Sequence, residues 1–510
     1  MVTMVARVLS CSLVGLDGVF VQVETDILNG LPAFTIVGLP DKAVEESRER
    51  VRSALQNSGA DLPARRITVN LAPGDLPKEG SSFDLPIAVS ILCASGQLSA
   101  DISDSLFLGE LSLDGTLRRT KGVLAMVLLA KQHGISNVFI PQDNTKEASV
   151  IDGVTIYPIN TLRELVLHLS NTQLLSPAEY IPYETTFQDQ EFSFDMKDIH
   201  GQESVKRAIE IAVAGGHNIL LKGSPGSGKT MIAKTVPSIL PPLTFEEALE
   251  VTKIYSTAGQ LESDSILKTR PFRSPHHTSS HVGIIGGSAN PRPGEISLAH
   301  RGILFLDEFP EFARMVLEAM RQPMEDGYVV ISRARERITF PARFMLIAAL
   351  NPCPCGYYGD KNRKCHCTQF QILKYQKKLS GPIMDRIDIH IDVPSVKTEK
   401  LVETTEVRES STAVRDRVIR AREIQKERFD KKHIFTNSEM GSRDIKEEVT
   451  LNENILDILK QAVEKLSLSA RSYYKVIKIS RTIADLEGSV SVEENHILEA
   501  LQYRPKLTQL

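Results

Sequence analysis

The sequence contains no tryptophan, few other aromatic residues and no long apolar segment. A helix that crosses a membrane needs roughly 18 consecutive apolar residues, whereas the longest apolar runs, such as 122–130, have the length of core segments. The N-terminus also lacks the basic region and the long apolar stretch of a signal peptide. We therefore expect a cytoplasmic protein with no membrane partner.

The sequence also has little net charge and few cysteines. The 60 basic and 64 acidic residues leave a net charge of −4, so any nucleic-acid binding must come from local basic patches. Six cysteines are too few for a secreted disulfide scaffold of this length. With 42% hydrophobic and 24% charged residues, the composition excludes a disordered chain and a coiled-coil rod. At roughly 150 residues per domain, the length favours about three domains.

The spacing of apolar residues predicts a multidomain α/β protein. Residues 1–170 mix strands and helices of an α+β domain, and 171–195 have the composition of a linker. Residues 196–395 repeat strand, glycine-rich turn and helix, which indicates a parallel α/β core. Residues 396–510 form a predicted helical lid, which begins with a solvated amphipathic helix. Its three further helices are expected at 452–466, 469–486 and 492–503.

A phosphate-binding loop is predicted where a short apolar strand runs into the pattern GxxxxGKT and then a helix. The glycines permit backbone conformations in which successive N–H groups point at phosphate oxygens. Lys229 is placed to reach the β- and γ-phosphates of ATP, and Thr230 to bind Mg²⁺. The loop residues assigned to nucleotide binding are Gly223, Ser224, Pro225, Gly226, Ser227, Gly228, Lys229 and Thr230.

Two further strand ends complete the predicted nucleotide site. The apolar strand 303–306 is followed by Asp307 and Glu308, at the carboxyl edge where parallel sheets bind ligands. Asp307 would hold Mg²⁺ and Glu308 would polarise the attacking water, although an acidic pair in this place is also common as a helix cap. The next strand ends in Asn351, a neutral polar group placed to orient water near the γ-phosphate.

Four of the six cysteines form two C-x-C pairs nine residues apart: Cys353, Cys355, Cys365 and Cys367. Four thiolates from one loop can form a tetrahedral Zn²⁺ site, in which His366 could replace one ligand. Free cysteines are the alternative, because disulfides are disfavoured in a reducing cytoplasm. Four protein ligands leave no open position, so we expect a structural role for the zinc.

Four long sequence motifs, which occur in a fixed order, indicate which family of proteins the chain resembles. The chain carries RPFRSPHHTSS at 270–280, GGSANPRPGEISLAHRGILFLDEFPEF at 286–312, ALNPCPCG at 349–356 and SGPIMDRIDIHIDV at 380–393. Together with the three strand-end motifs, they resemble the Mg-chelatase-subunit-like AAA+ ATPases, specifically the ComM/YifB family, over nearly the whole chain. This resemblance implies a homohexameric ring with ATP at the subunit interfaces. It also implies DNA helicase and branch-migration activity during the uptake of transforming DNA.

The resemblance assigns roles to two arginines. Arg386, in the sequence MDRID, takes the place of the arginine finger that a neighbouring subunit supplies to the γ-phosphate. A salt bridge to Asp385 or Asp388 is the structural alternative. Arg471, in LSARSY, matches the nucleotide-sensing arginine of the helical lid. It opens a predicted helix, where a cation is unfavourable, and this favours a functional role.

Residues 1–170 resemble the Lon protease domain without its catalytic pair. Ser82 takes the place of the Lon nucleophile, but the position of the partner lysine is Leu124 in this chain. Leucine cannot accept the hydroxyl proton that a Ser–Lys dyad must move, and Lys121 lies three residues away. We therefore predict a non-proteolytic domain with a scaffolding or DNA-contacting role.

Predicted DNA contacts lie on two loops. Residues 328–340 indicate two strands around a basic tip with Arg333 and Arg335, similar to the pre-sensor hairpin of ring helicases. These arginines would contact phosphates of single- and double-stranded DNA without reading bases, whereas a charge-protected edge hairpin is the alternative. A Gly- and Pro-rich stretch around Arg292 resembles a second pore loop. The scarcity of aromatic residues near these tips argues against base stacking as the main grip.

These observations together predict an ATP-dependent hexameric DNA helicase or translocase that promotes branch migration in homologous recombination of transforming DNA. Two other functions stay open. One is a Mg-chelatase-type motor that acts on a tetrapyrrole-inserting partner, and the other is an ATP-dependent scaffold or chaperone for recombination proteins. The Lon-like domain and the cysteine cluster resemble ComM rather than the chelatase subunit. Stimulation of ATP hydrolysis by DNA would separate the three.

Overall fold

A computed structural model describes residues 5–76, 78, 80–183, 192–261, 266–287, 291–332, 337–360, 363–395, 408–430, 432 and 434–505. The strands are β1 Ala6–Val14, β2 Asp17–Leu28, β3 Ala33–Val37, β4 Arg66–Ala72, β5 Ser105–Phe107, β6 Glu110–Leu111, β7 Leu117–Arg118, β8 Asn137–Pro141, β9 Thr155–Ile159, β10 Ile219–Lys222, β11 Phe272–Arg273, β12 Gly286–Gly287, β13 Arg292–Pro293, β14 Ile303–Leu306, β15 Tyr328–Ser332, β16 Arg337–Pro341, β17 Met345–Leu350 and β18 Ile389–Asp392.

The α-helices are α1 Lys42–Asn57, α2 Asp84–Ala94, α3 Val123–Gln132, α4 Thr145–Ala148, α5 Leu162–Leu169, α6 Glu203–Gly215, α7 Lys229–Thr235, α8 Phe245–Ala258, α9 His281–Ile285, α10 Glu295–Leu298, α11 Arg314–Ala319, α12 Arg321–Asp326, α13 Gln369–Gln376, α14 Gly381–Met384, α15 Ser411–Arg428, α16 Ser442–Glu448, α17 Glu453–Leu466, α18 Ala470–Glu487 and α19 Glu494–Gln502. Within the described part of the chain, no helix combines the length and the apolar content that a membrane span requires.

The chain folds into two compact units. Of the described residues, those up to Tyr183 and those of 244–268 form unit 1, and the others form unit 2. Helix α8 lies inside the predicted core 196–395 in sequence and yet belongs to unit 1. Its Ser256 hydroxyl accepts from the backbone N–H of Gly122 at 3.1 Å and donates to the Glu147 carboxylate at 2.9 Å. These buried hydrogen bonds explain the placement of α8, and the limits of the three predicted domains stay a prediction.

Unit 1 is built on a mixed seven-stranded sheet in the order β3-β4-β2-β1-β5-β8-β9. A tight turn joins β1 and β2 as an antiparallel pair, whereas β5, β8 and β9 are parallel and need longer connections. Helix α2 is apolar on all faces and is buried over most of its length. The mixture of strands and helices that apolar spacing predicts for this part of the chain is present.

Unit 2 contains a parallel five-stranded sheet in the order β11-β14-β17-β10-β18. Every residue of β14 and β17 is buried, as expected for parallel strands covered on both faces. This sheet confirms the prediction of a multidomain α/β protein with a parallel core. Its element order also brings the ends of β10, β14 and β17 to one edge.

The C-terminal helices share a hydrophobic core with this sheet. Ile219 of β10 belongs to the same buried cluster as Ile477 and Ile483 of α18. The buried His217 ring, just before β10, lies 2.9 Å from the Thr482 hydroxyl of α18. Helices α17, α18 and α19 confirm the three helices expected near the end of the chain, and their role as a separate lid stays a prediction.

Candidate nucleotide site

Three strand ends of unit 2 bring the predicted nucleotide-binding groups together. Strand β17 lies between β10 and β14 in the sheet, so the residues that follow these strands are neighbours. The Thr230 hydroxyl donates to the Asp307 carboxylate at 2.8 Å, and the Lys229 ammonium lies 3.2 Å from the Asn351 side-chain oxygen. The structure therefore brings these four predicted groups together at one edge of the sheet.

The loop before α7 has the backbone that glycine allows. Gly226 and Gly228 have φ values of +78° and +90°, in the left-handed region that other residues rarely adopt. A Cβ at Gly223 would lie 2.5 Å from the carbonyl oxygen of Val393, so a side chain is excluded there. Buried Lys229 donates to the carbonyl oxygens of residues 223 and 224. Burial lowers the pKa of its ammonium group, and a triphosphate would offer it charged acceptors.

Glu308 stands at the end of β14 with its side chain half exposed. Its φ of +50° is unusual for a residue with a side chain, and such conformations cluster at functional sites. The Glu308 carboxylate lies 3.3 Å from Nδ1 of His277. Sequence reasoning assigned no role to this histidine, although it belongs to the motif RPFRSPHHTSS. An exposed carboxylate beside the predicted Mg²⁺ ligand can polarise an attacking water.

A cavity of about 540 Å³ lies against the phosphate-binding loop, in the size range of small-molecule sites. Its lining residues are Asp198, Ile199, His200, Gln202, Pro225, Gly226, Ser227, Gly228, Met231, Ile232, Tyr357, Asp360, Arg363 and Ser395. Three of them, Tyr357, Asp360 and Arg363, lie between the two cysteine pairs and were not predicted. Their position soon after the strand that ends at Asn351 is the feature of the sequence that could have indicated them.

The two predicted arginines meet at one carboxylate. The guanidinium groups of Arg386 and Arg471 lie 2.7 Å and 2.5 Å from the two oxygens of Glu325. The ion pair of Arg386 is therefore with α12, and not with Asp385 or Asp388. Arg471 lies in the first turn of α18, as expected. Among the described residues that line the 540 Å³ cavity, neither arginine occurs.

The four loop cysteines form one cluster, and their Sγ atoms all lie within 4.8 Å of one another. Sγ of Cys353 is 3.4 Å from that of Cys355 and 3.7 Å from that of Cys365. A tetrahedral Zn²⁺ with bonds of about 2.3 Å holds its sulfur ligands about 3.8 Å apart. Backbone N–H groups of Tyr357 and His366 lower the pKa of Cys355 to about 6, whereas the pKa values of Cys365 and Cys367 are raised by desolvation and by the neighbouring thiols, against backbone hydrogen bonds that lower them. The donor set thus fits zinc without a histidine ligand.

The predicted DNA-contacting residues are placed only in part. Strands β15 and β16 form the expected antiparallel hairpin, whose last described pair is Ser332 with Arg337. Arg333 and Arg335 lie outside the described residues. Arg292 is exposed on β13, where it pairs with Gly287 of β12. A DNA-binding role for these arginines stays a prediction.

The residues that resemble the Lon catalytic pair lie in unit 1. Leu124 is fully buried in α3, and Ser82 is partly buried just before α2. The side chain of Lys121 lies against Gly259, where a Cβ would be 2.8 Å from its Cε. The position of the partner lysine is thus occupied by a packed core residue.

Known protein families and proteins match most of the chain. Three family descriptions match: magnesium chelatase, subunit ChlI, at 195–401; subunit ChlI of Mg-chelatase, at 23–144; and magnesium chelatase, subunit ChlI C-terminal, at 408–504. The chain is 45% identical to competence protein ComM of Haemophilus influenzae over 502 residues, which cover 98% of this chain and 97% of that protein.

Two other relatives are informative. YifB of Escherichia coli K12 is 42% identical over 492 residues, which cover 96% of this chain and 95% of that protein. A Lon protease of Mycolicibacterium smegmatis is 27% identical over 165 residues, which cover 30% of this chain and 21% of that protein.

Proposed function

This chain belongs to the ComM and YifB family of magnesium-chelatase-like AAA+ proteins, and we propose that it is an ATP-driven DNA translocase. In this proposal it binds ATP and Mg²⁺, assembles as a homohexamer and promotes branch migration during recombination of transforming DNA. The observation that carries the ATPase part is the strand-end cluster, in which Lys229 contacts Asn351 and Thr230 contacts Asp307. Four cysteines would hold a structural Zn²⁺.

The placement of the arginines supports hydrolysis between subunits. Arg386 and Arg471 share Glu325, and neither belongs to the described lining of the cavity beside their own phosphate loop. In a ring, each chain would present both guanidinium groups to the nucleotide of its neighbour. A delocalised cation there would stabilise the charge that develops on the γ-phosphate.

The DNA part of the proposal has two supports. Similarity to a competence protein extends over nearly the full length of both chains. The β15–β16 hairpin precedes the Asn351 strand, and six copies of its basic tip would surround one channel. We assign residues 1–170 to a non-proteolytic Lon-like domain, in which buried Leu124 stands at the place of the partner lysine, and 396–510 to a helical lid.

The test is ATP hydrolysis and branch migration by the purified protein, with and without DNA. DNA should stimulate ATP hydrolysis by the wild type. The double variant Arg333→Ala/Arg335→Ala should keep basal hydrolysis but lose stimulation and branch migration. Its DNA affinity should depend less on salt, by about one unit of log–log slope for each lost phosphate contact. Arg443→Ala, which removes a 90% exposed arginine elsewhere in unit 2, is the matched control.

Two outcomes would contradict the proposal. Unchanged branch migration by correctly assembled Arg333→Ala/Arg335→Ala protein would favour the scaffold function. Absence of any DNA stimulation in the wild type would favour the second candidate, a motor of the magnesium-chelatase type. That candidate is favoured by the three family matches, which together extend from residue 23 to residue 504.

A further inference from the structure

The segment 353–367, which we call the cysteine loop, is fitted closely to the phosphate-binding loop. Gly356 lies against Pro225, and a Cβ at position 356 would approach Cδ of that proline to 2.4 Å. The Ser224 hydroxyl donates to the Asp360 carboxylate at 2.6 Å. Backbone packing and a hydrogen bond therefore tie the cysteine loop to the first half of the phosphate-binding loop.

The same segment forms one wall of the 540 Å³ cavity. Tyr357 and Arg363 line it together with Ile199 and Met231. The Arg363 guanidinium donates to the Tyr357 hydroxyl at 2.8 Å and lies 5.2 Å from the centre of its ring. A cation and an aromatic group are thus held together at the cavity, where they can contact a planar base or a ribose.

The positions of Lys229 and Thr230, beside this cavity in the phosphate-binding loop, indicate the direction in which a bound nucleotide would extend. Lys229 and Thr230 mark the phosphate end, because they contact the strand-end residues Asn351 and Asp307. The cavity is lined by Gly226 and Gly228 of the phosphate-binding loop and by Ile199, which lies before α6. With the phosphates at Lys229, the ribose and base extend into this cavity and reach the cysteine loop.

The four thiols close this loop onto itself. They join residues up to 14 positions apart into one cluster, so a metal bound there removes conformational freedom from the intervening chain. Tyr357 and Arg363 lie within this closed segment. Loss of the metal would therefore release the wall of the cavity as well as the cysteines.

We propose that the cysteine loop is a nucleotide-binding element in which Tyr357 and Arg363 contact the base and ribose, and that a metal at the four cysteines sets nucleotide affinity. This inference rests on the proposed ATPase function. It assigns to the metal cluster a role in ligand binding that goes beyond local stability.

The first experiment measures binding of a fluorescent ADP analogue to the full-length protein. Arg363→Ala should weaken binding about tenfold, the effect expected for the loss of one contact that involves a charged group. Arg443→Ala is the matched control, because its side chain is exposed and pairs with Glu447. The control should bind the analogue as the wild type does.

The second experiment removes the metal. Elemental analysis should find about one zinc per chain in protein purified without chelator. Cys365→Ser/Cys367→Ser should contain none and should bind the ADP analogue about tenfold more weakly. Cys93→Ser, which alters a free cysteine of unit 1, should keep both properties. If the double variant does not fold, wild-type protein treated with chelator should lose affinity and regain it when Zn²⁺ is returned.

Lys229→Ala separates this inference from the proposed function. If Lys229→Ala binds the ADP analogue like the wild type, the proposed ATPase function is wrong. If Lys229→Ala loses binding while Arg363→Ala and metal-free protein bind normally, only the inference about the cysteine loop is overturned. Wild-type protein that contains no zinc would also overturn it.

Discussion

The phosphate end of the unit 2 sheet and the arginine pair at Glu325 differ in what the predicted side chains contact. At the sheet, each predicted group contacts another predicted group, as Lys229 does with Asn351. Arg386 and Arg471 instead share a carboxylate that no motif predicted. The difference indicates that one chain suffices to bring the predicted phosphate-site groups together, whereas an internal carboxylate holds the two arginines.

The largest expected effects break the phosphate site in two separate ways. Lys229→Ala should abolish nucleotide binding, because it removes the cation that faces the phosphates. Glu308→Gln should bind ATP but hydrolyse it about 100-fold more slowly, since an amide cannot take a proton from water. Equilibrium binding and steady-state hydrolysis measure the two effects, with Glu447→Gln as an exposed control. Wild-type turnover by Glu308→Gln would show that another group activates the water.

A smaller effect on ATP hydrolysis would test whether Arg386 acts on the nucleotide of another subunit. Arg386→Ala should bind nucleotide normally and hydrolyse it slowly as a pure assembly. Mixed with Lys229→Ala protein, it should recover part of its hydrolysis, because some interfaces would combine an intact phosphate loop with an intact arginine. The measurement is ATPase activity as a function of mixing ratio. No recovery in hexamers shown to be mixed would count against an arginine finger that is supplied in trans.

The smallest expected effect is a loss of folding stability at low pH, caused by His390 of β18. Burial lowers the pKa of His390 in β18 to about 3, and the charges of Arg504 and Lys475 act in the same direction. An unfolded histidine titrates near pH 6.5, so between about pH 6.5 and pH 3 the unfolded chain binds more protons. Stability therefore falls as pH is lowered, by about 1–2 kcal/mol between pH 7 and pH 5 from this group.

Urea unfolding at the two pH values measures this loss. The buried His217 adds to it in the same direction, because burial also lowers its pKa. His390→Leu should reduce the pH dependence, since it removes one group that binds a proton on unfolding. Equal unfolding free energies of the wild type at pH 7 and pH 5 would contradict the assignment of both histidines as buried neutral groups.

Local patterns account for much of what the sequence could predict. Apolar residues recur at helical spacing over 44–58, and the structure has the helix α1 at Lys42–Asn57. The spacing of glycines before Lys229 predicted the phosphate-binding loop, because only a few residues near in sequence decide its backbone. Asp307 and Asn351 were found for a related reason, since parallel strands end at a common edge. The four cysteines meet within one loop.

The rest could not be predicted, because it depends on which distant segments touch. Nδ1 of His277, in the motif at 270–280, lies close to the carboxylate of Glu308, which follows β14. Glu325 contacts Arg471 across 146 positions of sequence. Helix α8 packs in unit 1, although its residues lie inside the predicted core 196–395 in sequence.

By itself, the sequence determined the phosphate-binding loop, the strand-end acids, the four thiols and the resemblance to the ComM and YifB family. Each of these depends on near neighbours in the chain or on residue types that few other functions require. Only the tertiary structure decided that one carboxylate holds both arginines and that Tyr357 and Arg363 line the cavity beside the phosphate-binding loop. Such contacts join remote segments, and a hydrophobic pattern records that a face is buried without recording what covers it.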